Sequence, residues 1–186
     1  MSSLKLAEEH GVRQKTIWEF KRKMQLALNS QDIKFLNGTV LVSDIHIMEQ
    51  DNGQSGNIIL VAIEVLDNGE IGKAYGVMLD RLSPEHIQRF FEQHISTNAK
   101  VYVSKERLLA INYNMEINED TYLLPQSFTH ISNLRNWLFG VHRHVLPKYI
   151  QRYLNEYYFR FNRRNNMTLL FEEFIGLMMQ NQPNRT

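Results

Sequence analysis

The stretch "TVLVSDIHIM", residues 39 to 48, sets one carboxylate and one imidazole into an otherwise apolar run. Both alternating faces of the run are largely apolar, as in a central strand covered on two sides. An ionised carboxylate inside such a strand is costly unless it has a partner. Asp44 is therefore the residue that most needs a chemical reason. One reason is a hard divalent cation, held by Asp44 with other carboxylates, that activates water and stabilises the leaving oxygen of a phosphodiester. The other is a strand-end aspartate that reaches solvent. His46, two residues on, shares the face of Asp44 and is either a second ligand or a hydrogen-bonded neighbour. His142 and His144 repeat the spacing ahead of a helix, where phosphate contact or capping is expected rather than metal binding. The chain has no cysteine, so disulfides, thiolate zinc sites and cysteine nucleophiles drop out. It also lacks a Gly-rich phosphate loop, a nucleophile elbow and a His-Glu-x-x-His motif.

The 186 residues and 43% hydrophobic content suit one packed domain with a small appendage. The net charge of +1 hides a strong asymmetry. Residues 1–35 carry 7 basic and 4 acidic residues, residues 36–129 carry 6 and 13, and residues 130–186 carry 8 and 3. An acidic middle between basic ends suits a polyanion held at the ends and a cation held in the middle. No run of eighteen apolar residues and no basic-then-apolar leader occurs, so the expectation is a cytoplasmic protein with no membrane partner.

The elements that must position Asp44 follow from periodicity. "LKLAEEHGVRQKTIWEFKRKMQLAL" predicts two short helices broken at Gly11, a helix-turn-helix over residues 1–35. Ala7 is small where the helices meet, and Val12, Ile17 and Phe20 are expected inward. Arg13, Gln14, Lys15, Glu19, Arg22 and Lys23 are expected outward, where such side chains reach phosphates or base edges. After the first strand, "IILVAIEVL" and "KAYGVML" predict two more, joined by Gly-containing turns into an antiparallel meander. Ser83 and Pro84 read as N-cap and first-turn residue of a helix with Ile87, Phe90, Phe91 and Ile95 on its apolar face. "AKVYVS" predicts a fourth strand and "KERLLAI" a short helix. Residues 112–129 read as irregular chain ending near a short strand "TYLLP". Two helices follow, broken near Asn165 and Asn166, and residues 181–186 form a loose tail. The order of strands and helices predicts an α/β fold, a ribonuclease H-like mixed sheet flanked by helices over residues 36–180.

The basic, aromatic segment "HRHVLPKYIQRYLNEYYFRFNRR", residues 142 to 164, divides by helical period. Ile150, Tyr153, Leu154, Tyr157 and Phe161 make a packing stripe. Arg143 precedes this helix, and Lys148, Arg152, Arg160, Arg163 and Arg164 project from the stripe as a phosphate-facing surface. The same segment, with "FGV" just upstream, resembles the C-terminal signature of ISXO-like insertion-sequence transposases. "KLAEEHGVRQKTIW" resembles the helix-turn-helix ahead of their core, and "LNGTVLVSD" the approach to their first catalytic aspartate. The resemblance implies a DDE-type transposase of ribonuclease H-like fold that acts on double-stranded DNA with Mg²⁺. It places the first acid at Asp44, the second position at Ser104 and the third at Phe128. A hydroxyl and a phenyl ring do not replace two carboxylates on Mg²⁺. Without cysteine, the zinc ribbon common in the family is missing as well.

Three functions follow. The first is a transposase-like DNA-binding protein with impaired catalysis. The second is an active Mg²⁺-dependent transposase that recruits shifted acids such as Glu106 or Asp120. The third is a non-catalytic regulatory or interaction partner of an intact transposase, and the expected assembly is a homodimer or a complex with that transposase.

Overall fold

The computed structural model describes residues 3–28, 35–47, 58–103, 125–141 and 147–180. In chain order the elements are α1 Ser3–His10, α2 Gln14–Ala27, β1 Thr39–His46, β2 Ile58–Val65, β3 Ile71–Leu79, α3 Pro84–His94, β4 Lys100–Val103, α4 Pro125–Asn136, α5 Pro147–Phe161 and α6 Met167–Gln180. A π-helical turn, Trp137–Val141, continues α4. The described residues fall into two compact units, one within 33–162 and one made from 1–32 together with 163–186. Helix α6 thus groups with the N-terminal segment, whereas the sequence run 36–180 had suggested one domain.

In the first unit the sheet has the order β3-β2-β1-β4. β2 pairs antiparallel with both β1 and β3, and β4 pairs parallel with β1. The predicted meander is present, and the turn between β2 and β3 uses Gly69 at φ +79°, where a side chain would be strained. Asn68 Oδ1 accepts from the Glu70 amide and fixes that turn. The sheet is covered on both faces. On one, Val40, Val42, Leu60 and Ala62 pack under Ile87, Phe90 and Phe91 of α3. Ser83 caps that helix by accepting from the His86 amide at 3.3 Å, as its sequence predicts. On the other face, Ile45, Ile59, Val61 and Ile63 pack against Leu134 and Leu138 on one side and Ile150, Leu154 and Tyr158 of α5 on the other. Tyr158 lies against Gly76, where a Cβ would come within 2.6 Å of its ring.

Strand β3 is a sheet edge, and α5 with Asn162, the residue that follows it, supplies polar side chains to it. Gln151 Oε1 accepts from the Met78 amide at 2.8 Å and its Nε2 donates to the Gly76 carbonyl at 3.2 Å. Asn162 Oδ1 accepts from the Ala74 amide and its Nδ2 donates to the Ala74 carbonyl, both at 2.9 Å. These side-chain amides satisfy backbone groups that an edge strand otherwise offers to another chain.

Three expectations change. Residues 125–129 belong to α4 rather than to irregular chain, because Pro125 opens a helix instead of closing a strand. The stripe of α5 centres on Ile150, Leu154 and Tyr158, with Phe159 also buried, while Tyr153, Tyr157 and Phe161 are partly buried beside it. In the second unit, α1 and α2 flank Gly11 at φ +61° as expected, and Ala7 is buried. Val12 and Phe20, expected inward, are exposed. The inward stripe of α2 runs through Ile17, Lys21, Met24 and Gln25 to Leu28, which leaves Phe20 on its rim. The expected short helix "KERLLAI", most of the strand "TYLLP" and the tail 181–186 lie outside the described residues.

Helix α6 follows a side-chain cap in which Asn166 Oδ1 accepts from the Leu169 amide at 3.0 Å. It packs with α2, and an ion pair from Arg163 to Glu173 ties its first turns to the preceding loop. No helix among the described residues is long and apolar enough to cross a membrane.

Candidate functional site

β1 is the inner strand between β2 and β4, and its C-terminal half carries Asp44 opposite Leu60. The parallel pairing with β4 ends at Val42 opposite Val103. Asp44 therefore stands two residues past that last pair, where the two parallel strands point the same way. Ligands collect at the carboxyl ends of parallel strands in open α/β sheets. By two-residue alternation, Asp44 and His46 share the sheet face of Val40 and Val42, the face covered by α3.

The Asp44 side chain is only 3% exposed, and its Oδ2 lies 2.7 Å from His46 Nε2. The imidazole is about half exposed. The contact sets the His46 ring against a carboxylate that would otherwise be costly to bury. The same-face spacing of the two residues was legible in the sequence; their direct contact was not. Among the described residues no group of three histidines or acids comes together to hold a metal ion. Mg²⁺ takes six oxygen donors in near-octahedral array. The described part of the site offers one carboxylate, with one oxygen already against an imidazole.

The aligned third position, Phe128, is on α4 and half exposed, while Ser127 and His130 beside it are buried. Helix α4 leads into Leu134 and Leu138, which pack on the sheet face opposite Asp44. Phe128 therefore belongs to an element that covers the other side of the sheet. Ser104, Glu106, Asp120, Arg143, His142 and His144 lie outside the described residues.

The predicted phosphate-facing residues divide between the two units. In the helical unit Arg13, Gln14, Lys15, Arg22 and Lys23 are all exposed along the start and middle of α2. Lys15 has only a 4.0 Å surface pairing with Glu19, and Arg22 lies 6.0 Å from the Trp18 ring. In the sheet unit Lys148 and Arg152 both stand over the ring of Tyr149, at 5.0 and 5.3 Å from its centre. Two cations beside one aromatic ring form a compact positive feature. Arg160 is exposed near the end of α5, and Arg164 is exposed in the loop before α6. Arg163 differs, because its guanidinium is taken by Glu173. Sequence period alone could not show this, since the partner lies on the following helix.

Another carboxylate with a fixed position escaped sequence reading. Glu64, on β2, accepts from the Asn37 amide at 3.0 Å and the Lys73 amide at 3.1 Å, in space left open by Gly72. Its partners are backbone groups, so it holds the sheet margin together. Compared with family models, with characterised proteins and with solved structures, the chain matches none.

Proposed function

We propose that the chain is a DNA-binding protein of transposase type, with a ribonuclease H-like sheet unit and an N-terminal helix-turn-helix, whose strand-transfer chemistry is impaired. The observation that carries this reading is the place of Asp44, a buried carboxylate on the inner strand of a β3-β2-β1-β4 sheet. A first acid on the first strand, a three-stranded antiparallel meander and a fourth strand parallel to the first are the arrangement expected of that fold. The exposed cations of α2 and the Lys148–Arg152 pair over Tyr149 supply phosphate contacts. Impairment follows from the donor set. Ser104 and Phe128 stand where the resemblance expects acids, and among the described residues no group of three acids or histidines forms, so Asp44 by itself gives Mg²⁺ too few charged oxygens.

Duplex binding tests the first half. Anisotropy titrations of a labelled duplex should show log affinity falling linearly with log salt between about 50 and 200 mM. Charge reversal at Arg13 with Lys15, and separately at Lys148 with Arg152, should weaken binding and flatten the slope. Absence of duplex binding at the lowest salt would remove the reading. Strand nicking in Mg²⁺ or Mn²⁺ tests the second half. The expected result is background cleavage by both the wild-type chain and Asp44→Ala. Cleavage that disappears in Asp44→Ala would instead establish an active enzyme completed by acids such as Glu106 or Asp120.

A further inference from the structure

The helical unit leaves apolar surface uncovered in an ordered pattern. On α6, Met167 is 70% exposed, Phe171 64%, Ile175 39% and Met179 70%. These four follow i, i+4, i+8 and i+12, one continuous ridge along the whole helix. No residue of α6 is fully buried, although most of its side chains are apolar. A helix that is apolar on nearly every side is ordinarily covered. At about 200 Å² for a large exposed side chain, the ridge presents roughly 500 Å². That is the size of the largest apolar patch on a typical monomer, about 300–600 Å², a patch that is often functional. It also matches the apolar share, about 65% of about 800 Å², that one partner buries in a standard homodimer interface.

Charge points to the occupant. The only charged residues on α6 are Glu172 and Glu173, and Glu173 is already paired with Arg163. Glu172 is exposed beside the ridge. The opposite charge stands on α2, which carries Lys15, Lys21, Arg22 and Lys23 against a single acid, Glu19. α2 has its own outward i, i+4, i+8 row, Trp18, Arg22 and Leu26, all exposed. Each copy of the chain therefore presents an acidic apolar ridge and a basic apolar ridge. A two-fold axis can satisfy both at once, because the contact of one copy's α6 with the other's α2 is made twice. An anionic lipid surface fits less well, since the ridge of α6 is flanked by acid rather than by Lys or Arg.

We propose that the α6 ridge is a homodimer interface, covered in solution by α2 of a second copy of this chain. The proposal takes Arg22 into the interface and leaves Arg13, Lys15 and Lys23 to phosphate contact, and its test needs no nucleic acid. Sedimentation equilibrium of the full chain should give twice the 22.0 kDa chain mass at micromolar concentration. Phe171→Lys and, near the end of the helix, Met179→Lys should each weaken dimerisation at least tenfold, with helix content by circular dichroism unchanged. Glu172→Lys and Arg22→Glu should each weaken it too, and the two combined should recover most of the loss, a recovery that misfolding would not produce. A monomer at 100 µM overturns the proposal. So does a dimer indifferent to both Phe171→Lys and Met179→Lys, or a charge swap without recovery. A monomer that unfolds readily with Phe171→Lys would show that the chain covers the ridge itself, and would also overturn it.

Discussion

Helices α5 and α6 are consecutive in sequence and nearly equal in length, yet their side chains meet opposite fates. α5, over Pro147–Phe161, carries Lys148, Gln151, Arg152, Asn155, Glu156 and Arg160 and still buries Ile150, Leu154, Tyr158 and Phe159. α6, over Met167–Gln180, is far more apolar and fully buries none of its residues. Apolar content thus does not decide burial here. What decides it is whether the apolar residues keep one phase against a surface of matching size, as the sheet gives α5. α6 has apolar residues all round and a small unit to set them on, so one ridge is left over.

That contrast can be broken at several points. The largest effect is expected from equal truncations on the two helices. Leu154→Ala should lower unfolding stability by about 2–5 kcal/mol, as a cavity under the sheet does. Leu169→Ala, on the exposed part of α6, should cost less than about 1 kcal/mol. Similar losses in urea melts would mean that α6 is as tightly packed as α5. Next in size is acid. Burial among Tyr75 and Phe90 lowers the His94 pKa from 6.5 to about 4. The unfolded chain takes up that proton near pH 6.5, and the folded one not until about pH 4. The contribution of His94 is therefore full above pH 6.5 and is lost as pH falls toward 4, by on the order of 3 kcal/mol in all. His94→Phe should flatten melts across that window, and an unchanged acid slope would place the sensitivity elsewhere.

Smaller effects come from glycine. Gly76→Ala forces a Cβ against the buried ring of Tyr158 and should cost about 1–3 kcal/mol. The same change at Gly176 of α6 meets no atom within 4 Å and should stabilise the helix by about 0.5–1 kcal/mol. Thermal melts of the two variants should therefore move in opposite directions. A common direction would contradict the packing difference between the helices.

Legibility in the sequence follows the same physics. The strands were readable because β-branched residues alternate or run continuously between Gly- and Asn-containing turns, and α3 because Ser83, Pro84 and a clean apolar period announce it. Asp44 and His46 could be placed on one face because strand alternation is rigid. Readings failed where phase was ambiguous. In α5 aromatic residues occupy adjacent positions, so Tyr157 and Tyr158 compete for the core, and only the gap at Gly76 settles it for Tyr158. In α2 apolar residues stand on several sides, and Phe20 fell on the rim of the stripe. Pro125 after "TYLL" fits a strand end and a helix start equally well by local signals. The ion pair of Arg163 and the two backbone partners of Glu64 depend on residues elsewhere in the chain, which no local pattern encodes.

The amide contacts of α5 and of Asn162 at its end have a metric consequence. Gln151 and Asn162 are eleven residues apart, about 16 Å along a helix, and they grip Met78 and Ala74, about 13 Å apart along a strand. The helix is thereby gauged against the strand at two distant marks, and neither sliding by a residue nor turning on its axis keeps both. Whatever Lys148, Arg152 and Arg160 touch, they present their charges at spacings calibrated by the backbone of β3.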